Sequence, residues 1–570
     1  MPPEPRNPLI VQGDRTVLLE VDNPLYPEAR DQLARFAELE KSPEHFHTYR
    51  ITPLSLWNAA AAGLNAVDIL DSLERFTKYD LPSNIRYEVQ DFVARYGRVK
   101  LERRGEDLVL FSDDAPLMTE VAHHKLVRPY VVTSIDAHAI KVQADRRGHV
   151  KQALIRIGYP VEDLAGYVVG DPLAVQLREQ TLAGEPFTVR AYQQEAADVF
   201  FAGGSVRGGS GVIVLPCGAG KTVVGIAAMA EVKAHTLILC TNITAVRQWR
   251  REILDKTDLA ESDIGEYSGE FKEVLPVTLA TYQILTYRRR KSEAFPHFGI
   301  FNARNWGLII YDEVHLLPAP VFRITAEIQS CRRLGLTATL VREDKKEDDV
   351  FSLIGPKRYD VPWKVLEKQG WIATAECTEV RVPLPDDLRM GYALANGREK
   401  FRIASENPRK LDLVHELLAR HSGDRVLIIG QYLDQLNYIA RETKAPIITG
   451  STPNRERDVL YDAFRTGEAP VLIVSKVGNF AIDLPDANVA IQVSGTFGSR
   501  QEEAQRLGRI LRPKADASLA RFYSLVTRDS RDQVFAANRQ LFLTEQGYTY
   551  RICDAHEILE PDTPDEEGKR

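Results

Sequence analysis

Cysteine is scarce in this chain, and no long apolar segment is present. The five cysteines among 570 residues lie far apart, without a C-x-x-C pair and without histidines at metal-ligand spacing. This pattern argues against a disulfide framework, a structural zinc site and a four-cysteine iron–sulfur cluster. Apolar runs such as Gly211–Pro216 and Thr236–Cys240 have the length of a strand. They fall far short of the ~20 residues that span a bilayer.

The chain also lacks an excess of basic residues and the charge pattern of an export signal. Its formal net charge is −7, so composition alone does not indicate a nucleic-acid partner. Tyr287–Lys291 (YRRRK) is a local basic cluster, although a solvated charged face is the commoner explanation of a single run. The first residues (MPPEPRNPLI) show no basic, then apolar, then small order. We expect a cytoplasmic protein with no membrane partner.

The length and composition are those of several globular domains. Single hydrophobic cores stop growing near ~250–300 residues. This chain has 570 residues, of which 44% are hydrophobic and 27% are charged. We therefore expect three or four domains with ample buried cores.

Residues 1–120 contain helix-start signals followed by a hairpin pattern. Thr52-Pro53 and Asn65 stand at the starts of apolar-periodic stretches. Arg98–Glu102 and Leu108–Ser112 alternate in polarity, as the strands of a hairpin do. This order fits a winged-helix module that binds DNA or a protein, and it fits a plain α+β packing domain equally well.

A second small α+β unit is expected over residues 121–180. Two short strands there precede a helix near Gly148–Ile157. Its bases Arg146, Arg147 and Lys151 could touch phosphates, although exposed bases are usually just solvated. No base-reading chemistry stands out in this unit.

From about residue 181, short apolar strands alternate with helical stretches. Such alternation predicts an α/β fold with parallel sheets covered on both faces and ligand crevices at the carboxyl ends of the strands. We expect two consecutive lobes over 181–362 and 363–550, followed by a tail over 551–570. The expected strands are Val212–Leu215, Leu237–Cys240, Thr278–Ala280, Leu308–Tyr311 and Arg333–Thr337 in the first lobe, and Arg425–Ile429, Pro446–Ile448, Val471–Val474, Val489–Val493 and Arg521–Leu525 in the second.

Leu215–Thr222 (LPCGAGKT) joins an apolar strand to a helical segment, which is the context that a phosphate-binding loop requires. Gly218 and Gly220 allow backbone N–H groups to approach phosphate oxygens. Lys221 would neutralise the β and γ phosphates of a nucleotide, and the Thr222 hydroxyl would hold magnesium. Leucine stands at the first position, where the strict Walker pattern has glycine.

An acidic pair follows the apolar run Leu308–Tyr311. A carboxylate at the tip of such a strand can hold magnesium, and its neighbour can orient or deprotonate the attacking water. We assign Asp312 to the metal and Glu313 to the water. An acidic pair alone is usually a helix cap or surface charge, but Lys221 on the same sheet favours the active-site interpretation. Thr337-Ala338-Thr339 follows the next strand and could sense the metal site, or form an ordinary turn.

Three arginines near residue 510 recur at helical spacing. Arg506, Arg509 and Arg512 in QRLGRILR would share roughly one face of a helix. The planar guanidinium group suits a transferring phosphoryl group, and such a contact contributes about 10³–10⁵ in rate. We assign Arg509 and Arg512 to the γ-phosphate, with a solvated basic stripe as the alternative.

In this order, the segments PCGAGKT, DEVH, TAT and QRLGRILRP resemble motifs I, II, III and VI of the superfamily 2 helicases. The resemblance implies two tandem RecA-like parallel-sheet lobes. The segment FTVRAYQ is similar to the adenine-reading motif of that superfamily, which implies that Arg190 and Gln193 contact adenine. The QRLGR element adds Gln505 to the nucleotide-binding residues. The segments TNITAVRQW, TYQ and SKVGNFAID resemble the strand-contacting and coupling segments of that superfamily, which implies DNA-related roles for Thr241 and Gln283.

Within that superfamily, the chain resembles the XPB helicases. Arg342, Glu343 and Asp344 sit just after TAT, where XPB proteins carry an element implicated in strand separation. The segments IGPKR and GTFGSRQEEAQRLGRILR are also similar to that family, and residues 121–180 stand where it has a damage-recognition domain. The family's thumb insertion, sizeable in archaeal and eukaryal members, is reduced here to about Asp386–Arg402.

The resemblance implies an ATP-dependent 3′-to-5′ DNA helicase or translocase that acts in DNA repair. ATP and Mg²⁺ are the implied cofactors, and single-stranded and forked duplex DNA are the implied partners. The lobes would close around the nucleotide while a strand crosses both, gripped mainly through its phosphates. Two alternatives stay open: a duplex translocase that does not separate strands, and an ATP-gated DNA-binding scaffold for a repair nuclease.

Overall fold

The computed structural model contains two compact units, the first built mainly from residues before 362 and the second mainly from residues after it. Among the described residues, every helix is too short or too polar to cross a membrane. The described residues are 6–41, 45–205, 208–216, 218–290, 295–328, 331–338, 347–361, 366, 375–475, 487–495, 520–545 and 549–559.

The N-terminal segment begins with paired strands and continues with well-capped helices. Its elements are β1 (Leu9–Val11), β2 (Thr16–Glu20), α1 (Tyr26–Leu33), β3 (Glu38–Lys41), β4 (Phe46–Arg50), α2 (Pro53–Ala61), α3 (Ala66–Phe76) and α4 (Ser83–Arg95). β1 pairs antiparallel with β2. Thr52 and Ser55 exchange side-chain and backbone hydrogen bonds as a capping box, and Asn65 caps α3. Both helix starts therefore lie where the sequence predicts them.

A five-stranded sheet follows, with strand order β7-β8-β6-β5-β9. The elements are β5 (Lys100–Arg104), β6 (Asp107–Phe111), α5 (Ala115–His123), β7 (Val131–Ser134), β8 (Ala139–Val142), α6 (Arg147–Arg156) and β9 (Glu162–Asp163). The expected hairpin is present as the antiparallel pair β5–β6. β6 also pairs with β8, so strands from both sides of residue 120 share this sheet.

Two bases of the small unit point inward, which differs from the surface position considered for them. Arg147 Nη2 lies 2.7 Å from Asp163 Oδ1, and Lys151 Nζ lies 3.0 Å from Asp163 Oδ2. Burial lowers the pKa of Lys151 to about 7. Burial acts against ionisation of Asp163, but the two cations outweigh it and lower the pKa of that carboxyl. Arg147 and Lys151 therefore hold this unit together, and only Arg146 is exposed.

The first lobe is built on a parallel seven-stranded sheet with the order β12-β13-β11-β14-β15-β10-β16. Its elements are α7 (Ala191–Phe201), β10 (Ser210–Val214), α8 (Lys221–Val232), β11 (Thr236–Cys240), α9 (Ile243–Lys256), β12 (Ile264–Tyr267), β13 (Val277–Thr281), α10 (Tyr282–Thr286), β14 (Leu308–Asp312), α11 (Ala319–Glu327), β15 (Arg332–Thr337), α12 (Glu347–Leu353) and β16 (Lys357–Asp360). All five predicted strands are present. The edge strands β12 and β16 were not predicted.

The second lobe is built on a parallel seven-stranded sheet with the order β19-β20-β18-β21-β22-β17-β23. Its elements are β17 (Ala375–Val382), α13 (Asp386–Leu394), α14 (Gly397–Ser405), α15 (Arg409–Arg420), β18 (Val426–Gly430), α16 (Leu433–Thr443), β19 (Ile447–Ile448), α17 (Asn454–Thr466), β20 (Val471–Ser475), β21 (Val489–Gln492), β22 (Ala520–Thr527), α18 (Arg531–Glu545), β23 (Thr549–Asp554) and α19 (Ala555–Leu559). The sheet thus continues past residue 550, into the expected tail.

Both large sheets have the same topology. Numbered from the first strand of each lobe, the strand order is 3-4-2-5-6-1-7 in both. The interior strands are mostly buried, as expected for parallel strands covered on both faces, whereas the edge strands β16 and β23 are partly exposed. The predicted α/β fold with two tandem lobes is confirmed.

A buried ion pair joins distant elements of the second lobe. Lys410 Nζ lies 2.9 Å from Asp532 Oδ2, and both side chains are 1% exposed. Lys410 also donates a hydrogen bond to the carbonyl oxygen of Val493 at 3.0 Å. Asp532 Oδ2 accepts the backbone N–H of Thr527 at 3.1 Å. The pair therefore ties α15 and α18 to the ends of β21 and β22.

We expect Lys410→Met to lower the free energy of unfolding of the second lobe by about 3–5 kcal/mol, because Asp532 would keep a buried charge without its cation. Hydrogen–deuterium exchange of the full chain measures this effect as faster exchange of the β21 and β22 amides.

Arg389→Met is the matched control for this substitution. Arg389 pairs with Asp386 on the surface, where the side chains are 67% and 88% exposed. Loss of such a pair changes stability by less than about 1 kcal/mol. Equal exchange of β21 in the two variants would contradict the prediction.

Candidate active site

The loop between β10 and α8 has the backbone of a phosphate-binding turn. Gly218 and Gly220 have φ values of 82° and 78°, in the left-handed region that favours glycine. Gly220 is the N-cap of α8, and no side chain caps that end of the helix. Since the first N–H groups of a helix have no partners within it, this end of α8 is suited to hold an anion. Lys221 and Thr222 are the first two residues of α8.

Gln193 lies beside this loop. A Cβ atom added to Gly220 would come within 2.5 Å of Gln193 Nε2. Gln193 Oε1 accepts the backbone N–H of Arg190 at 3.1 Å, and the side chain is buried. The two residues predicted to read adenine therefore start a helix, α7, that packs next to the predicted phosphate loop.

Asp312 ends β14, the strand between β11 and β15. Trp249 Nε1–H donates to Asp312 Oδ2 at 3.0 Å, and the Tyr282 hydroxyl donates to the Asp312 carbonyl oxygen at 2.9 Å. Burial, and then the charge of Glu313, raise the pKa of Asp312 to about 6, while Trp249 and Lys221 act in the opposite direction. Such a carboxylate gains more than an exposed one from a nearby cation.

Glu313 has a left-handed backbone with φ of 49°. This conformation costs a residue other than glycine about 1–2 kcal/mol, and it is concentrated at functional sites. The Glu313 carboxylate lies 3.6 Å from Lys221 Nζ and 3.5 Å from His315 Nδ1. His315 Nδ1 is in turn 2.5 Å from Thr337 Oγ1. A continuous polar chain therefore runs along the carboxyl edge of the sheet.

The structure brings together the predicted residues of the first lobe. Lys221, Asp312, Glu313 and Thr337 meet at the ends of β10, β14 and β15, which are neighbours in the sheet. An ammonium group, two carboxylates and an uncapped helix start in one crevice can together hold a polyphosphate and a divalent cation.

The predicted strand-contacting residues lie at the same edge of the sheet. Thr241 follows β11 and is partly exposed, and Gln283 lies in the first turn of α10 and is exposed. Other predicted residues lie outside the described part of the chain, so their roles stay predictions. They are Thr339, Arg342, Glu343, Asp344, Gln505, Arg506, Arg509 and Arg512.

Sequence reasoning gave no role to three residues that surround the acidic pair: Trp249, Tyr282 and His315. A partial signal was present, since Trp249 and Tyr282 belong to the segments TNITAVRQW and TYQ, and His315 ends DEVH. A buried indole or phenol usually finds a hydrogen-bond acceptor. Which acceptor it finds depends on the sheet order, because Trp249 and Asp312 are 63 residues apart.

Three family profiles match parts of the chain. The profile described as Type III restriction enzyme, res subunit, matches residues 186–342. The profile of the ERCC3/RAD25/XPB C-terminal helicase matches residues 366–566. A profile described as helicase conserved C-terminal domain matches residues 9–136, which lie outside both seven-stranded sheets. The matches to the two lobes place the chain among the helicases with RecA-like lobes.

Relatives similar over nearly the whole chain define the group further. A DNA 3'-5' helicase XPB of Mycobacterium tuberculosis is 57% identical, over 97% of this chain and 99% of the relative. The protein of the same name from Kineococcus radiotolerans is 55% identical, over 98% and 99%. The XPB/SSL2 helicase/translocase subunit of general transcription and DNA repair factor IIH from Saccharomyces cerevisiae is 31% identical, over 95% and 71%. The chain belongs to the XPB helicase family, as the sequence motifs predicted.

Among solved structures, the helicase domain of Hef from Pyrococcus furiosus matches with a TM-score of 0.42 and 16% sequence identity. The match covers 61% of this chain and 97% of that chain.

We expect Gly220→Ala to lower the free energy of unfolding by more than the ~1–2 kcal/mol that a left-handed backbone alone costs. The new Cβ would also meet Gln193 Nε2 at 2.5 Å. Displacement of Gln193 should weaken the binding of a fluorescent ATP analogue by about tenfold, which corresponds to 1.4 kcal/mol. Thermal unfolding and a fluorescence titration measure the two effects.

Gly184→Ala is the control, because Gly184 has a similar φ of 80° and no atom within 4 Å of an added Cβ. Gly184→Ala should lower the free energy of unfolding only by the ~1–2 kcal/mol that a left-handed backbone costs, and it should leave nucleotide binding unchanged. If both variants bind the analogue equally well, the position of Gln193 beside the loop does not affect nucleotide binding.

Proposed function

We propose that this chain is an ATP-driven DNA helicase that moves 3′ to 5′ and acts in DNA repair. One observation carries the proposal: Lys221, Asp312 and Glu313 meet at one sheet edge, beside a loop with the backbone of a phosphate cradle. Two relatives named DNA 3'-5' helicase XPB are 55% and 57% identical over almost the whole chain, which supports DNA as the substrate and the polarity.

The first lobe would hold ATP through the phosphate loop and the start of α8. Gly218 and Gly220 would let the backbone approach the phosphates, and the Lys221 ammonium would pair with the β and γ phosphates. Arg190 and Gln193 would contact adenine, which agrees with the position of Gln193 beside Gly220.

Thr222 and Asp312 would hold Mg²⁺. The residues fit such an ion, because Asp312 is buried next to the charge of Glu313 and both effects raise its pKa. A cation at this point relieves both effects, and hydroxyl and carboxylate oxygens are the ligands that Mg²⁺ prefers. When bound, Mg²⁺ neutralises charge on the phosphate oxygens.

Glu313 is the candidate group for the attacking water. Its carboxylate is held between Lys221 and His315, at 3.6 Å and 3.5 Å, so its orientation is set before a substrate arrives. It would align the water and accept its proton. His315 connects Glu313 to Thr337. The segment Thr337-Ala338-Thr339 would therefore sense whether the metal site is occupied.

The second lobe would supply Arg509 and Arg512 to the γ-phosphate, and Gln505 to the nucleotide. Helical spacing and membership of the XPB family support this assignment. The strand to be unwound would be held through its phosphates, with Thr241 and Gln283 among the contacts and Arg342–Asp344 at the point of strand separation. A repair nuclease as partner and a cytoplasmic location belong to the same proposal.

The domains proposed from sequence keep their order. Strands from both sides of residue 120 pair within the sheet β7-β8-β6-β5-β9, which supports a first boundary before Lys100 rather than at residue 120. β23 and α19 extend the second lobe to about residue 559, leaving 560–570 as the tail.

Lys221→Ala and Glu313→Gln should each reduce DNA-stimulated ATP hydrolysis by about 10²–10³-fold, the size expected when one transition-state contact is removed. DNA affinity should stay within about twofold of the wild type, because phosphate contacts along the strand supply most of it. A phosphate-release assay and fluorescence anisotropy measure the two quantities.

Lys233→Ala and Glu231→Gln are the matched controls, since both residues are exposed at the other end of α8. They should leave hydrolysis unchanged. Undiminished turnover in either active-site variant would refute the assignment of that residue.

Strand displacement on 3′-tailed, 5′-tailed and blunt duplexes tests the helicase proposal against its two rivals. We expect release of the labelled strand from the 3′-tailed duplex only. Replacement of Arg342, Glu343 and Asp344 by alanine should abolish release and leave DNA-stimulated hydrolysis intact. A duplex translocase would hydrolyse ATP quickly without release, and a scaffold would bind forked DNA, hydrolyse ATP slowly and release nothing.

A further inference from the structure

Two aromatic side chains from different helices donate hydrogen bonds to Asp312. Trp249 on α9 donates to the side chain at 3.0 Å, and Tyr282 on α10 donates to the backbone carbonyl at 2.9 Å. Trp249 is 1% exposed and Tyr282 is 4% exposed. The side chain and the backbone carbonyl of Asp312 are therefore each fixed by a hydrogen bond from a donor that is buried away from solvent.

The Trp249 indole is locked in place by the helix that starts at the phosphate loop. A Cβ atom added to Gly225 on α8 would lie 2.4 Å from Trp249 Cη2, so glycine is required for the ring to pack there. The indole thus touches α8 with one end and Asp312 with the other. Because closely packed interiors are hardly compressible, a small displacement of one side chain is transmitted to its neighbours.

Both helices start at the edge of the sheet where a DNA strand would lie. α9 follows β11, and α10 follows β13 without an intervening loop. Thr241 and Gln283, the residues proposed to contact the strand, stand at these two starts, partly and fully exposed. Each helix therefore has a polar residue at the surface and, within its first two turns, an aromatic donor on Asp312.

We propose that Trp249 and Tyr282 are positioning residues that couple DNA contact to the nucleotide site through Asp312. On strand binding, a shift of α9 would move the Trp249 donor relative to the Asp312 carboxylate, and a shift of α10 would move the Tyr282 donor relative to the Asp312 backbone carbonyl. Either shift would change the affinity of the site for the nucleotide and its metal. This inference rests on the proposed function, since it presumes that Thr241 and Gln283 contact DNA.

Such a coupling is reciprocal and measurable without turnover. If DNA changes nucleotide affinity by some factor, the nucleotide changes DNA affinity by the same factor, typically ~5–150-fold. The ratio of the Kd values for a labelled single strand, with and without a non-hydrolysable ATP analogue and Mg²⁺, reports this factor directly.

Trp249→Phe and Tyr282→Phe each remove one donor and keep the ring. In the wild type, the ratio of the two Kd values should differ from one. In each variant this coupling factor should be smaller by about threefold or more, which is within the range that such couplings span. The Kd without nucleotide should change by less than about twofold, because neither side chain reaches the surface.

The same lobe provides matched controls. Trp306 is buried and its Nε1–H donates to the carbonyl oxygen of Ile300 at 2.9 Å, and the buried Tyr311 hydroxyl bonds to Thr325 Oγ1 at 3.1 Å. Trp306→Phe and Tyr311→Phe also remove a buried donor, but that donor does not contact Asp312. Both should keep the wild-type Kd ratio.

A spectroscopic measurement separates coupling from simple packing. The chain has five tryptophans, so 5-fluorotryptophan labelling gives few ¹⁹F resonances, and Trp249→Phe and Trp306→Phe assign two of them. Addition of a single strand alone should shift the Trp249 resonance and leave that of Trp306 in place. A packing role without coupling predicts that neither resonance moves.

Three results would overturn the inference. The first is a Kd ratio of one in the wild type. The second is a wild-type Kd ratio in both Trp249→Phe and Tyr282→Phe. The third is a loss of coupling in Trp306→Phe and Tyr311→Phe that equals the loss in those two variants. If the wild-type chain binds neither DNA nor the analogue, the proposed function fails and the inference fails with it. If the wild-type chain binds both DNA and the analogue but its Kd ratio is one, the inference is wrong and the proposed function is unaffected.

Discussion

The first lobe depends on holding two adjacent carboxylates at the end of one buried strand. Asp312 and Glu313 repel each other, and burial adds to the cost of ionising Asp312. The surrounding structure offsets part of this cost with the Lys221 ammonium and the Trp249 indole donor. Asp312 accepts the Trp249 N–H, whereas Glu313, with its left-handed backbone, lies near Lys221. Strain and burial are thus concentrated where the chemistry is proposed to occur.

Buried ion pairs serve a different purpose in the other parts of the molecule. Lys410 and Asp532 join elements 122 residues apart, and Arg147 joins Asp163 across 16 residues. In both places each charge has a partner, and loss of one partner costs more than the pair itself contributes. Such pairs help to specify which elements pack together, whereas the acidic pair of the first lobe keeps two like charges on adjacent residues and is suited to bind a cation.

Local chemistry was readable from the sequence. The caps at Thr52 and Asn65, most interior strands of both sheets and the glycine-rich loop after β10 all follow from residue types at short spacing. The edge strands β12, β16 and β23 were missed, because edge strands are less uniformly apolar and their identity depends on a partner strand. β17 was also missed although it lies between β22 and β23, because charged and polar residues interrupt its apolar positions. The inward position of Lys151 and the contact between Trp249 and Asp312 were also beyond local reasoning. Both depend on groups that only the folded chain brings together.

The shared strand order of the lobes contrasts with their chemistry. In the second lobe, β17 occupies the place that β10 has in the first, yet it is followed by Pro383-Leu384-Pro385 and not by a glycine-rich turn ending in lysine. β21 matches β14, but Val493-Ser494 follow it where the first lobe has its acidic residues. Within the described residues, the first lobe alone therefore combines a glycine-rich turn that ends in lysine with an acidic pair at a strand end. Under the proposed function, this arrangement corresponds to one nucleotide bound per polypeptide.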